Sequence, residues 1–173
     1  MEQRQEASEN ALMTRIGQAV MLLHGGDREE ARNRFGEIWT ELGETGDAFH
    51  RCTLAHYMAD TQDDPRDELV WDLRALAAVD GEAPQEPGKA PREETRPAEP
   101  PGVPPREASA AARAFYPSLH LNLAEDYVKL RRPQAARLHL DRARAAADAL
   151  ADAGYGSGVR TAIDRLELRL RGE

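Results

Sequence analysis

Apolar residues recur three and four positions apart through most of the chain, which is the spacing of one face of an α-helix. Residues 11–23 show this spacing near the start of the chain, and residues 159–170 show it near the end. No stretch alternates apolar and polar residues convincingly, as a half-buried strand does. The pattern therefore predicts an all-α protein of seven helices. Their first residues or caps are Ala11, Asp27, Ala48, Asp64, Ala108, Pro133 and Val159.

Capping residues mark several of the predicted helix ends. Asp27 precedes Glu30 by three positions, an arrangement typical of a capping box. Asp64 followed by Pro65 predicts an N-cap and a first helical residue, because a proline at that position removes no helical hydrogen bond. Pro117 falls inside a helical pattern, so we expect it to kink a long helix; the alternative is that it marks the first turn of a shorter one.

One segment, 81–107, breaks the helical pattern. It holds eight of the eleven prolines, interleaved with charges and with almost no large apolar residue. Such a composition cannot bury enough surface to offset the entropy lost on ordering, so the segment is predicted to be a disordered linker. The stretches 1–80 and 108–173 on either side are predicted to form one domain. An alternative interpretation is a polyproline ligand for a proline-recognition domain, carried by PPGVPP.

Small and large apolar residues follow one another with particular regularity in the stretch 119–150. Alanine occupies the positions where two packed helices approach most closely, and bulky residues fill the space beside them. The stretch is therefore predicted to be a helical hairpin, and two histidines at its seam, His120 and His139, are interpreted as structural. The other seam residues are Leu123, Ala124, Tyr127, Ala136, Leu140 and Ala143.

This spacing resembles the tetratricopeptide repeat, in which a bulky residue, Leu, a small residue and Tyr on one helix precede Ala, a large apolar residue and Ala on the next. The resemblance implies a stack of about three helical hairpins, with the C-terminal helix capping the third. An ordinary Ala-rich helical bundle is the alternative. The matching residues are Ala19, Leu22, Ala31, Phe35 and Ile38 in the first hairpin, and Leu54, Ala55, Met58, Leu69, Leu73 and Leu76 in a degenerate second one.

The resemblance also implies a function. The first helix of each pair would line a concave groove that holds another protein or a peptide, so the chain is expected to be a binding scaffold or adaptor rather than an enzyme. The carboxylate clamp of some family members needs Lys and Asn at particular groove positions, and here only Asn122 matches. The polar groove residues implied by the register are His24, Cys52, His56, Asp60, Asn122, Glu125 and Lys129. The apolar ones are Ile16, Val20, Leu23, Phe49, Ala59, Leu121 and Val128.

Three of the polar residues permit a chemical alternative. Cys52, His56 and Asp60 are four positions apart and so lie on one helix face. A thiol beside an imidazole is a candidate nucleophile, and Cys52 with His56 is a candidate pair of zinc ligands. The three residues span about 12 Å along a straight helix, which is too far for all of them to bind one metal ion. No metal or cofactor is therefore expected, and a small enzyme or metal-binding protein stays the alternative to the scaffold.

Charge and cysteine content narrow the choice of partner. The formal net charge is −8, and residues 1–80 carry 8 basic and 17 acidic side chains, or −9. An acidic half of this size is a poor electrostatic match for nucleic acid or an anionic membrane, so neither is expected as a partner. One cysteine allows no internal disulfide, and no apolar run reaches the ~18 residues of a membrane span, which favours a cytoplasmic protein. A homodimer is a further alternative.

Overall fold

The computed structural model describes residues 2–44, 46–81, 110–150 and 157–172 of the 173-residue chain. These residues form seven helices and no strand, which confirms the predicted all-α class. Residues 82–109, and with them nearly all of the predicted linker, lie outside the described residues. The helices are α1 (Glu2–His24), α2 (Arg28–Leu42), α3 (Ala48–Asp60), α4 (Pro65–Asp80), α5 (Ala110–Lys129), α6 (Pro133–Ala149) and α7 (Ser157–Arg171).

The predicted caps are present at the starts of α2 and α4. Asp64 accepts a hydrogen bond from the backbone N–H of Arg66 at 2.8 Å, and the proline between them occupies the first turn of α4. Asp27 caps α2 by accepting from the N–H of Glu30 at 3.3 Å. The Glu30 carboxylate pairs with Arg34 at 2.7 Å rather than with the cap, so only half of the expected capping box forms.

Two helices differ from the predicted boundaries. α1 begins at Glu2, well before the predicted start at Ala11, because the polar residues there carry no apolar period that the pattern could detect. α5 runs from Ala110 to Lys129 with Pro117 inside it, so the alternative of a shorter helix starting at this proline is wrong.

The first and third helical pairs share a turn geometry. Between α1 and α2, Gly26 has φ +91°, and the next N–H donates to the carbonyl oxygen of Leu22 at 2.9 Å. Between α5 and α6, Arg131 has φ +56°, and the next N–H donates to the carbonyl oxygen of Tyr127 at 2.8 Å. Both are left-handed helix caps closed by the same hydrogen bond. The arginine therefore adopts a conformation that glycine adopts without strain.

Consecutive helices form pairs, and consecutive pairs lie side by side. α1 packs on α2, α3 on α4 and α5 on α6. Between the pairs, α2 contacts α3, α4 contacts α5, and α3 contacts α5 directly. The first helices of the second and third pairs are therefore neighbours, and it is between them that the candidate site lies.

The predicted seam of the third pair is the core of that pair. Its alanines are fully buried, and Leu140 is nearly so. Tyr127 is half-buried and stacks on the ring of His139, with the ring centroids 5.4 Å apart. A larger side chain at the alanine positions would force α5 and α6 apart, at a cost of about 1–3 kcal/mol. The alanines are Ala124, Ala136 and Ala143.

α7 covers the third pair, as the capping interpretation predicted. Its apolar stripe is buried in the same core cluster as the α5–α6 seam. Polar contacts fix it in place: Arg137 donates to the carbonyl oxygen of Leu170 at 2.9 Å, and Arg144 pairs with Asp164 at 3.2 Å. The stripe consists of Ile163, Leu166 and Leu170.

Candidate functional site

Two residues of the predicted groove meet between α3 and α5. His56 of α3 and Asn122 of α5 are both partly exposed, and Nδ1 of His56 lies 3.0 Å from Nδ2 of Asn122. In this orientation the amide N–H donates and a neutral imidazole accepts. The contact joins residues 66 positions apart in sequence, and it links the first helices of two neighbouring pairs.

Carboxyl groups flank His56 on both sides. Its Nε2 atom is 3.9 Å from Oδ2 of Asp60 on the same helix, and its Nδ1 atom is 3.8 Å from Oδ1 of Asp72 on α4. Both separations are those of ion pairs and are too long for hydrogen bonds. Burial, the largest single influence, acts to lower the pKa of His56, but the interactions with Asp72 and Asp60 outweigh it and raise the pKa. When protonated, the ring keeps its contact if the Asn122 amide turns its oxygen toward it.

A lysine lies over the carboxyl groups at the end of α5. The Nζ atom of Lys129 is 2.6 Å from Oε1 of Glu68 on α4 and 3.7 Å from Oδ1 of Asp126. Desolvation, the largest single influence, acts to lower the pKa of Lys129, but the hydrogen bond to Glu68 and the charges of the neighbouring carboxyl groups together outweigh it, so the pKa is raised. The lysine side chain is 45 % exposed, and its ion pair is therefore open to solvent and weak.

Two of the carboxyl groups are buried against each other. Asp72 of α4 is 3 % exposed, Asp126 of α5 is 1 % exposed, and their side chains interact directly. Burial, followed by the charges of Asp72 and Glu68, raises the pKa of Asp126 to about 9, and burial raises the pKa of Asp72 as well. Asp126 is therefore protonated at neutral pH. Oδ1 of Asp72 and Oδ2 of Asp126 have no hydrogen-bond partner.

These side chains form one polar cluster where α3, α4 and α5 meet, which we call the acidic cluster. Four carboxyl groups share it with one lysine and one histidine. An arrangement with this excess of acidic groups attracts cations and hydrogen-bond donors and repels anions. The members of the acidic cluster are His56, Asp60, Glu68, Asp72, Asn122, Asp126 and Lys129.

Cys52 is not part of an open groove. It is fully buried in a core cluster contributed mainly by α3, α4 and α5, so the prediction that it lines the groove is wrong. Burial, with a smaller contribution from the charge of Asp72, raises the pKa of the thiol to about 12. A thiol in this state supplies neither the thiolate nucleophile nor the thiolate ligand that the chemical alternative requires.

The remaining predicted groove residues are divided between surface and core. His24 is exposed at the end of α1, and no described contact joins it to the acidic cluster. Glu125 is half-buried on α5, and its charge contributes to the raised pKa of Lys129. Three of the apolar groove residues face the core instead, because they are buried. These are Ile16, Ala59 and Leu121.

Sequence reasoning missed Glu68, Asp72 and Asp126. A signal for the two aspartates was present: Asp72 lies three positions after Leu69, and Asp126 lies three positions after Leu123, and both leucines are buried. A carboxyl group within the apolar stripe of a helix points toward the interior. Glu68 carries no comparable signal, because it lies on a polar turn of α4.

A second polar pair lies inside the third helical pair. Nδ1 of His120 and Nδ1 of His139 are 3.0 Å apart, so one ring donates and the other accepts. Desolvation, followed by the charges of His139 and Arg142, lowers the pKa of His120 to about 3. Desolvation, followed by the charge of Arg142, lowers the pKa of His139 to about 4. The ring of Tyr116 meets His120 edge-on at 4.7 Å, and Tyr127 stacks on His139. This neutral pair belongs to the core of the hairpin, in keeping with its structural interpretation.

The acidic cluster does not have the arrangement of a metal site. In the parts of the chain that the structure describes, no group of three or more His, Cys, Asp or Glu side chains is placed to hold a metal ion. None of the described helices is both long enough and apolar enough to cross a membrane. Comparisons with protein-family models, with curated proteins and with solved structures find no match. Function is therefore inferred from the geometry of the chain itself.

Proposed function

We propose that the protein is a scaffold or adaptor that binds another protein or a peptide along the face formed by α3 and α5. The observation that carries this proposal is the contact between His56 and Asn122, which joins the first helices of two neighbouring pairs through partly exposed polar side chains. Such a surface offers a guest peptide hydrogen-bond donors and acceptors on two adjacent helices. The packed pairs beneath hold these groups in fixed positions, which reduces the entropy lost on binding.

The repetition of the pair geometry supports the proposal. The first and third pairs close their first helix with the same left-handed turn, at Gly26 and at Arg131. Stacked hairpins of one geometry leave their first helices on a common side, where they form the wall of an extended binding surface. His24, exposed at the end of α1, lies on the helix that would extend this surface.

The arrangement around Cys52 does not favour the enzyme or the zinc protein. The thiol is buried and its pKa is raised to about 12, while His56 is occupied by Asn122 and by the carboxyl groups beside it. The two side chains therefore do not present a shared reactive centre to solvent. A binding role is the function that the geometry supports best.

Selection from a displayed library of random hexapeptides against the full chain tests the proposal. We expect peptides to be recovered, and we expect the double variant Asn122→Ala, Glu125→Ala to bind them at least about tenfold more weakly, which corresponds to about 1.4 kcal/mol of lost contacts. Asp141→Ala, on the exposed side of α6, is the matched control and should bind like the native chain. Recovery of no peptide, or equal weakening by the control, would contradict the proposal.

A further inference from the structure

The acidic cluster holds more buried carboxyl groups than its own cations neutralise. Asp72 and Asp126 are almost completely buried, and each has an oxygen atom without a hydrogen-bond partner. His56 reaches Asp72 only at ion-pair distance, and Lys129 reaches Asp126 only at 3.7 Å. Buried carboxyl groups that are paired this incompletely either stay protonated, as Asp126 does at neutral pH, or destabilise the fold when they ionise. A ligand that brings positive charge would stabilise their ionised form.

Lys129 shows how a cation sits on the acidic cluster. Its ammonium group contacts Glu68 at 2.6 Å and lies 3.7 Å from the buried Asp126, while the side chain as a whole is 45 % exposed. An ion pair that is exposed in this way is exchanged readily, because solvent and other cations compete for it. The position of the lysine amine is therefore one that a cation from another molecule can occupy.

We infer that the acidic cluster recognises a cationic side chain, a lysine ammonium or an arginine guanidinium, in a basic segment of the partner. This inference rests on the proposed function and adds the chemical class of the partner to it. The incoming cation displaces Lys129 from Glu68 and approaches Asp126 from the solvent side. His56, whose side chain is 32 % exposed, forms the neighbouring part of the rim.

The charge of the chain favours the same occupant. Residues 1–80, which contain α3 and α4, carry a net charge of −9, and a field of this sign increases the rate at which a basic segment arrives. An acidic segment would meet Asp60 and Glu68 at the rim and be repelled. A bare metal ion is a poorer candidate, since no set of three ligand side chains in the described residues converges on one point.

Three pools of fluorescein-labelled hexapeptides test the inference by fluorescence anisotropy. The pools have Arg, Gln or Glu at the third position and mixed uncharged residues elsewhere. We expect the Arg pool to bind at least tenfold more tightly than the Gln pool, and the Glu pool to bind most weakly. Raising the salt concentration from about 50 mM to about 500 mM should weaken binding of the Arg pool more than binding of the Gln pool, because the contact is ionic and partly exposed.

Two variants test whether the bound cation lies at the acidic cluster. Asp126→Asn keeps the shape of the side chain but can no longer become charged, so we expect the preference for Arg over Gln to fall at least fivefold. Lys129→Met removes the internal competitor, so we expect the Arg pool to bind about threefold or more tightly. Asp141→Asn, an exposed change of the same charge on α6, should leave the preference unchanged. Circular dichroism of each variant checks that the chain remains helical.

The outcomes separate the two proposals. If no pool binds, the proposed peptide-binding function fails. If the pools bind equally, or the Glu pool binds best, and Asn122→Ala, Glu125→Ala still weakens binding, then the function stands and the cationic specificity is wrong. Tighter binding of the Arg pool by Lys129→Met supports the inference even if Asp126→Asn proves unstable, whereas weaker binding by Lys129→Met overturns it.

Discussion

Two polar pairs are buried among the described helices, and they differ in where they lie. His120 and His139 are inside the third helical pair, between α5 and α6, and aromatic rings surround them. Asp72 and Asp126 lie between two pairs, on α4 and α5, and are linked through His56 and Lys129 to the surface. A polar group within a hairpin helps to fix that hairpin, whereas a polar group between hairpins lies next to the face where we propose that a guest binds.

The two pairs also respond to pH in opposite directions. The histidines have folded-state pKa values below that of an unfolded chain, so they favour the folded state at neutral pH relative to acid pH. Asp126 has a folded-state pKa above that of an unfolded chain, so it favours the folded state at acid pH relative to neutral pH. The hairpin pair thus contributes stability under the conditions in which the acidic cluster removes it.

The largest expected effect is acid destabilisation through the histidine pair. Unfolded histidines take up protons below pH 6.5, but His120 and His139 take them up in the folded state only near pH 3 and pH 4. Between pH 7 and pH 4.5 this lowers the free energy of unfolding by about 5 kcal/mol. Urea unfolding at the two pH values measures the loss, and the double variant His120→Gln, His139→Gln should abolish most of it.

His24→Gln is the control for this experiment, because His24 is exposed at the end of α1. It should leave the pH dependence of unfolding unchanged. If the chain with glutamines at both seam positions loses as much stability in acid as the native chain, the buried histidines are not the source of the effect, and the contrast between the two pairs disappears.

A smaller effect of opposite sign is expected from Asp126→Asn. The unfolded chain releases the carboxyl proton above pH 3.8, whereas the folded chain holds it to about pH 9, so folding is penalised increasingly as the pH rises between these values. An asparagine carries no such penalty and can still hydrogen-bond to Asp72. We expect the free energy of unfolding at pH 8 to rise by about 1–3 kcal/mol, less than the difference in pKa implies, because the buried amide leaves hydrogen-bonding groups unpaired.

Asp141→Asn serves as the control for this change as well, and it should alter the free energy of unfolding by less than about 0.5 kcal/mol. Loss of stability at pH 8 in Asp126→Asn would mean that Asp126 is ionised and held by Lys129. If Asp126→Asn is more stable than the native chain and also loses the preference for Arg over Gln peptides, then the buried carboxyl group of Asp126 lowers stability but contributes to peptide binding.

The difference between the two polar pairs also shows which features the sequence predicts and which depend on the packing of separate helices. Caps such as Asp64 and small seam residues such as Ala124 act over a few positions, so their spacing predicted helix ends and the third hairpin. The repeat register also placed His56 and Asn122 on one surface, and these two side chains are in contact. Local rules were sufficient for the caps and the third hairpin because each depends on one helix or one hairpin, whereas the contact between His56 and Asn122 joins two pairs.

The acidic cluster depends on the relative orientation of two helical pairs. The spacing of residues within one helix does not predict that orientation. Asp72 and Asp126 come from helices on opposite sides of residues 82–109, so no local pattern joins them. Cys52 was misplaced for a related reason. α3 buries residues on nearly all sides, including Thr53, Leu54 and Ala55, so its periodicity does not single out one exposed face.

The smallest expected effect concerns His56, which lies at the partly exposed edge of the acidic cluster. His56 has a raised pKa, so its contribution to stability is present below pH 6.5 and is lost as the pH rises through its folded-state pKa. Because the raising interactions come from Asp72 and Asp60 and not from the amide, Asn122→Ala should lower the free energy of unfolding by less than about 1 kcal/mol and leave the pKa raised. An NMR titration of the histidine rings should show His56 titrating above pH 6.5, while His120 and His139 stay neutral down to about pH 5. In Asp72→Asn the pKa of His56 should fall. An unchanged pKa would show that the buried carboxyl group of Asp72 does not interact with the imidazole ring, and that His56 is not coupled to the buried part of the acidic cluster.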